Sequence, residues 1–121
     1  MTLSSDALTS KRLEVAGNVD DAIEACYQQG WTDGLPVIPP TEEKVLQFLD
    51  FVGRHPSDVI GVEPVRGRVI TAEKVAINAV MAGCRPEYMP VIVAAMEGMV
   101  RPEFSLHGSS ASTMGSAPLL V

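Results

Sequence analysis

The chain has 121 residues, one domain's worth of sequence. Nine Lys and Arg against fifteen Asp and Glu give a net charge of −6, which excludes the basic footprint expected of a nucleic-acid-binding domain or of one drawn to an anionic membrane. A hydrophobic fraction of 46% excludes intrinsic disorder, and with aromatics at 5% any core must be built from Val, Ile, Leu, Met and Ala.

Residues 1–17 are polar, rich in Ser and Thr and weakly patterned, and read as an extended N-terminal arm ahead of a single domain over 18–121. No basic n-region or apolar h-region follows Met1, so a secretory signal is not expected. The longest apolar stretch, residues 89–96, falls short of the roughly 20 residues a membrane span needs. Two cysteines, Cys26 and Cys84, are too few for a disulfide scaffold. The expectation is a cytoplasmic protein with reduced thiols.

Asn18 suits a helix N-cap, with Asp20 and Asp21 at the positive end of the dipole. Val19, Ala22, Ile23, Cys26 and Tyr27 then trace one helical face, and Gly30 ends it. This assigns Cys26 to the core. Trp31 to Pro40 reads W-T-D-G-L-P-V-I-P-P, in which three prolines forbid helix or central strand and Asp33-Gly34 signals a turn. So apolar a loop should be buried or cover something. Thr41 with Glu42 and Glu43 opens a second helix that stops before His55-Pro56. Residues 58–71 alternate around Gly61 and Gly67 as a short hairpin, with Pro64 keeping one strand at an edge.

Thr71 is the next N-cap, and Val75, Ala76, Ala79, Val80 and Ala82 form a small-residue helical face ended by Gly83. A fourth helix begins near Pro86 and runs to about Val100. Its pattern is apolar nearly all round, so burial on several sides is expected. His107 to Ser116 follows as a polar loop, and Ala117 to Val121 reads as a buried strand at which the sequence stops, as a domain does when it continues. The fold class expected is α/β or α+β: about four helices, a short β-hairpin and a C-terminal strand completing a sheet with another chain.

The Ser/Gly-rich loop is the best candidate for chemistry. Its small residues let backbone N–H groups approach a ligand, and Ser109, Ser110, Ser112 and Thr113 offer hydroxyls to an oxyanion, carboxylate or phosphate. His107 beside them is placed for acid–base work. An ordinary polar connection is the alternative, and neither the P-loop nor the G-x-S-x-G elbow is present. Cys84 lies between a helix end and the N-terminus of the next helix, beside Arg85, a setting that favours thiolate. A small buried hydrophobe is the competing reading. Asp33 is a candidate ligand or base that turn formation explains equally well, and Trp31 is either a stacking platform or a core anchor. Arg66 and Arg68 flank Gly67, in a position to hold an anion or simply to solvate a turn. Neither His55 nor His107 has a Cys or His at metal spacing, so no metal site is expected. No flavin, nicotinamide or haem fingerprint is present, and the cofactor is left unassigned.

The segments Gly30–Pro40 (GWTDGLPVIPP) and Ala76–Ile92 (AINAVMAGCRPEYMPVI) resemble a poorly characterised bacterial family whose longer members are described as hypothetical or thioredoxin-like. Members accompany a small cysteine- or selenocysteine-containing protein with a U-G-S-C or C-G-S-C motif. The resemblance covers residues 19–121 and carries over no catalytic residue, and the thioredoxin description finds no C-x-x-C here. It implies a chain that continues into a further domain in longer relatives, and thiol-dependent or redox chemistry shared with a partner. The leading expectation is a subunit of a hetero-oligomeric cytoplasmic enzyme acting on a small molecule. Its inter-chain site would use Cys84 and His107 as catalytic residues and Trp31, Asp33, Arg85, Ser109, Ser110, Ser112 and Thr113 for substrate. The alternative is a non-catalytic structural or regulatory subunit that stabilises a partner enzyme.

Overall fold

The computed structural model describes residues 2–121. The protein is of the α+β class, with five α-helices and one two-stranded antiparallel hairpin among the described residues. The helices are α1 (Val19–Gln28), α2 (Glu42–Val52), α3 (Ala72–Met81), α4 (Met89–Met99) and α5 (Leu106–Ser110), and the strands are β1 (Val59–Val62) and β2 (Val69–Thr71).

Caps set the helix ends where the sequence places them. Asn18 Oδ1 accepts the Asp20 and Asp21 N–H groups while Asp21 Oδ2 accepts the Asn18 N–H, a reciprocal capping box at the start of α1. Thr41 and Thr71 accept N–H bonds three residues on, from Lys44 and Lys74, to start α2 and α3. α1 and α3 end alike, in glycines held left-handed: φ is 71° at Gly30 and 79° at Gly83. In α1 Trp31 N–H donates to Cys26 O and Gly30 N–H to Tyr27 O, and in α3 Cys84 N–H donates to Ala79 O and Gly83 N–H to Val80 O. Both are complete Schellman motifs, which a Cβ at either glycine would strain.

The core lies where α2, α3, α4 and the hairpin meet. α2 contributes Val45, Phe48 and Leu49, α3 Ala72, Val75, Ala76, Ala79 and Val80, α4 Met89 and Val93, and β1 Ile60. The i, i+3, i+4 spacing explains why these residues share a face of each helix, and the alanines of α3 let α2 approach closely. Gly61 does the same for the hairpin, since a Cβ there would collide with Val100 Cγ2. Val62 opposes Val69 in the ladder, with a register shift between Val59 and Gly61. The extended arm is tied down at three points. Leu3 and Leu8 pack on the core, Leu3 N–H donates to Asp50 Oδ1 at 3.0 Å, and Thr9 and Ser10 are held by Glu73. A 3-10 turn at Ser5–Ala7 lies between the first two contacts.

Four expectations need correcting. The apolar Trp31–Pro40 loop is mostly exposed, with Leu35 at 71%; it is anchored by the Ile38 N–H bond to Met81 O but nothing in this chain covers it. Trp31 is exposed at 45% and is no core anchor. The fourth helix opens with a 3-10 turn at Pro86–Tyr88, and α4 buries only one side: Met89 and Val93 are buried while Val91 is 69% exposed. The polar stretch from His107 is helical through Ser110, in α5, rather than loop throughout. Among the described residues, 115–121 pair with no strand, and the pairing expected of them is with another chain. Cys26 is buried as expected, yet outside the main core, against the wall of a surface groove.

Candidate functional site

Cys84 follows the Gly83 turn and precedes Arg85, which caps the 3-10 turn leading into α4. Its thiol is free and half-buried, and it packs against the core. Arg85 is exposed. The Trp31–Pro40 loop reaches this end of α3, where Ile38 bonds Met81 and lies next to Gly83. The structure therefore gathers Ile38, Gly83, Cys84 and Arg85 at the junction of α3 and α4.

Asp33 is exposed at the far side of the same loop. The turn there is shaped by Thr32, whose Oγ1 donates to Leu35 O at 2.8 Å and accepts the Gly34 N–H. Asp33-Gly34 marks the turn correctly, with Gly34 at φ 116°, but the organising side chain is the neighbouring threonine.

His107 sits elsewhere. It is the second residue of α5, after Ser105 has taken a left-handed φ of 53° to turn the chain. The Glu63 carboxylate accepts the Val65 and Arg66 N–H bonds at 2.8 and 2.7 Å. Those bonds first, and the charge of His107 after them, hold the Glu63 carboxyl below its usual range. His107 therefore lies beside the hairpin turn, beyond the C-terminal end of α4, where Val100 meets Gly61. Cys84 stands at the opposite end of that helix, whose eleven residues rise about 16 Å. The two expected catalytic residues are thus held apart by α4.

Ser109 is half-buried, and Ser110, Ser112 and Thr113 are exposed. Ser110 Oγ is spent on the Leu106 carbonyl at 2.6 Å, inside α5. Ser112 Oγ accepts the Met114 N–H. Ser109 and Ser110 share α5 with His107, and Ser112 and Thr113 follow it in the chain. Among the described residues no group of three or more His, Cys, Asp or Glu side chains gathers as a metal site, and no helix is long and apolar enough to cross a membrane.

The residue that sequence reasoning missed is Glu73. It is 3% exposed, the one buried charged side chain among the described residues. Its Oε2 accepts the Thr9 N–H and Oγ1–H, at 3.1 and 3.2 Å, and its Oε1 accepts the Ser10 N–H at 2.9 Å. Burial pushes this carboxyl up, but the bonds from Ser10 and Thr9 outweigh it, and the net shift is downward. Ser10 Oγ also lies close to the carboxylate, although it falls short of hydrogen-bond geometry with any acceptor. Glu73 thus clasps the arm to the start of α3. The only sequence signal was an acidic residue in a helix's first turn, and that explains itself by the dipole alone.

Between the arm, α1 and α3 runs a groove of about 740 Å³, lined among others by Cys26, Trp31, Glu73 and Asn78. The Cys26 thiol on its wall is pushed up by burial, which suits an inert packing role. Comparison with protein-family models, curated proteins and solved structures found no match.

Proposed function

We propose that this chain is a subunit of a hetero-oligomeric enzyme acting on a small molecule, with its site completed at an interface between chains. The observation that carries this reading is the exposed surface. The chain presents 8217 Å², whereas a compact monomer of its 12.9 kDa mass exposes about 6,300 Å². The surplus of about 1,900 Å² is more than the roughly 800 Å² that each partner gives to a standard interface, and it falls within the range of obligate assemblies. Much of it is apolar: the Trp31–Pro40 loop, Val91 on α4, the Val62–Val69 pair of the hairpin and Leu119-Leu120.

Within such an assembly two half-sites are available. One is Cys84 with Arg85 and the Trp31–Pro40 loop, including Trp31 and Asp33. The other is His107 with Ser109, Ser110, Ser112 and Thr113. Since α4 separates them, a partner chain would supply the group that either half lacks. Thiol-dependent or redox chemistry at Cys84 is the version favoured by the resemblance to a poorly characterised bacterial family with a small Cys- or Sec-containing companion. A cytoplasmic location accords with free thiols at both cysteines.

A second reading, a non-catalytic subunit that stabilises a partner enzyme, is favoured by the distance between Cys84 and His107. Native mass spectrometry of the protein purified from its native source decides whether it has partner chains at all; a lone monomer overturns both readings. With the complex in hand, Cys84→Ser and His107→Ala separate them. Loss of turnover in an intact assembly supports the catalytic subunit, and full turnover leaves the structural one.

A further inference from the structure

α1, like the short α5, has no other helix or strand packed extensively on it. Its inner side, at Ala22, Ala25 and Cys26, lines the groove behind the arm. Next to these, Val19, Ile23 and Tyr27 at i, i+4 and i+8 form a continuous apolar strip along the helix. Val19 and Tyr27 are exposed at 66% and 53%, and Ile23 is half-buried. The strip extends beyond the helix, because the loop folds back so that Gly34 approaches the Tyr27 ring and sets exposed Leu35 next in line.

The charge around this strip has one sign. Residues 13–43 contain seven Asp and Glu and no Lys, Arg or His. Asp20 and Glu24 lie along the edge of the strip on α1, and Asp33 sits beside Gly34 at its far end. Lys11 and Arg12 on the arm and Lys74 on α3 line the groove beside α1, and Arg12 is paired with Glu42 at 2.6 Å.

We infer that the Val19–Ile23–Tyr27 strip is a docking face for a cationic amphipathic helix of another protein chain. A convex apolar strip rimmed by carboxylates suits a helix that lays its apolar side on the strip and its Lys or Arg side chains over Asp20, Glu24 and Asp33. A second copy of this chain would bring the same carboxylates face to face, and an anionic membrane would be repelled in the same way. The inference rests on the proposed role as a subunit and names the chemistry of the partner.

The test uses the full chain and three synthetic 18-residue peptides: an amphipathic helix of Leu and Lys, the same helix with Glu for Lys, and a Lys/Ser peptide of equal charge. Calorimetry gives the affinity. The Leu/Lys peptide is expected to bind at least tenfold more tightly than either control. Val19→Ser with Tyr27→Ser, both exposed and so compatible with folding, should reduce it to the Lys/Ser level. Asp20→Asn with Glu24→Gln should weaken it severalfold and flatten its salt dependence. Equal binding of the Leu/Glu peptide overturns the inference, as does Leu/Lys binding that survives the Val19/Tyr27 change, or wild-type self-association that this change abolishes. If the native complex exists yet the serine variants leave peptide binding intact, the docking face falls and the subunit reading stands. A monomer in native mass spectrometry removes the subunit reading whatever the peptides do.

Discussion

Replacing Glu73 with Gln tests how the arm is held. The carboxylate accepts three bonds, two at Oε2 from Thr9 and one at Oε1 from Ser10. An amide keeps one acceptor oxygen, so it can hold the Thr9 pair or the Ser10 N–H but not both. Its NH2 then faces a backbone or hydroxyl donor with no solvent to intervene. Losing one charge-assisted bond and leaving one donor unsatisfied costs about 2–3 kcal/mol, which for a chain of this length lowers Tm by roughly 8–15 °C. Thermal melts at pH 7 read the stability. Limited trypsin digestion at the exposed Lys11 and Arg12 reads arm release, which should quicken in the variant. The same group makes stability depend on pH. Its folded pKa is lowered from the ordinary 4.5, so its contribution is fully present above that value and is lost as the pH falls through the folded pKa. Glu73→Gln should therefore flatten the acid limb of the stability curve. A change below about 0.5 kcal/mol, with unaltered digestion, would refute the clasp as an anchor.

Three other outcomes are expected. Gly61→Ala should cost about 1–3 kcal/mol by overpacking, because the new methyl meets Val100 Cγ2; urea melts check this, and Val100→Ala should recover part of the loss. Arg54→Met breaks the 2.9 Å pair with Glu97, but both side chains are more than a third exposed, so less than about 1 kcal/mol should be lost, and less still in high salt. Iodoacetamide under native conditions should modify half-buried Cys84 before buried Cys26, whose thiol burial pushes up from 9.0; peptide mass mapping over time gives the order.

Local signals were legible in the sequence wherever one residue type has one mechanical use. Asn18, Thr41 and Thr71 cap the helices they were assigned to, Gly30 and Gly83 end two of them, and the 58–71 alternation is a hairpin. What failed was the inference from apolar composition to burial. Trp31, Leu35 and Val91 are apolar and exposed because burial is settled by what else is present to cover them, and composition alone does not say what that is. The helix at 106–110 was hidden by Gly108 and serines of weak propensity, and is supported instead by the Ser110-to-Leu106 bond. Glu73 was hidden for a different reason: its partners lie more than sixty residues away, at Thr9 and Ser10. Of the candidate site, the local environment of Cys84 was readable, but its separation from His107 depends on the direction of α4 and was not.

The arm has a consequence for the order of folding. Its bonds close loops of 47 residues, from Leu3 to Asp50, and 64 residues, from Thr9 to Glu73. The contacts among α2, the hairpin, α3 and α4 all fall within residues 42–100, and those of the hairpin close the shortest loops. Loop-closure entropy and contact order therefore favour residues 42–100 assembling first, with the arm docking afterwards on a finished surface. Asp50 and Glu73 stand on different helices, α2 and α3, so the arm finds both anchors only when those helices are already side by side. Its amides should then exchange with solvent through a local opening of lower free energy than the core's. In this sense the arm is a late proofreader of the helix pair beneath it.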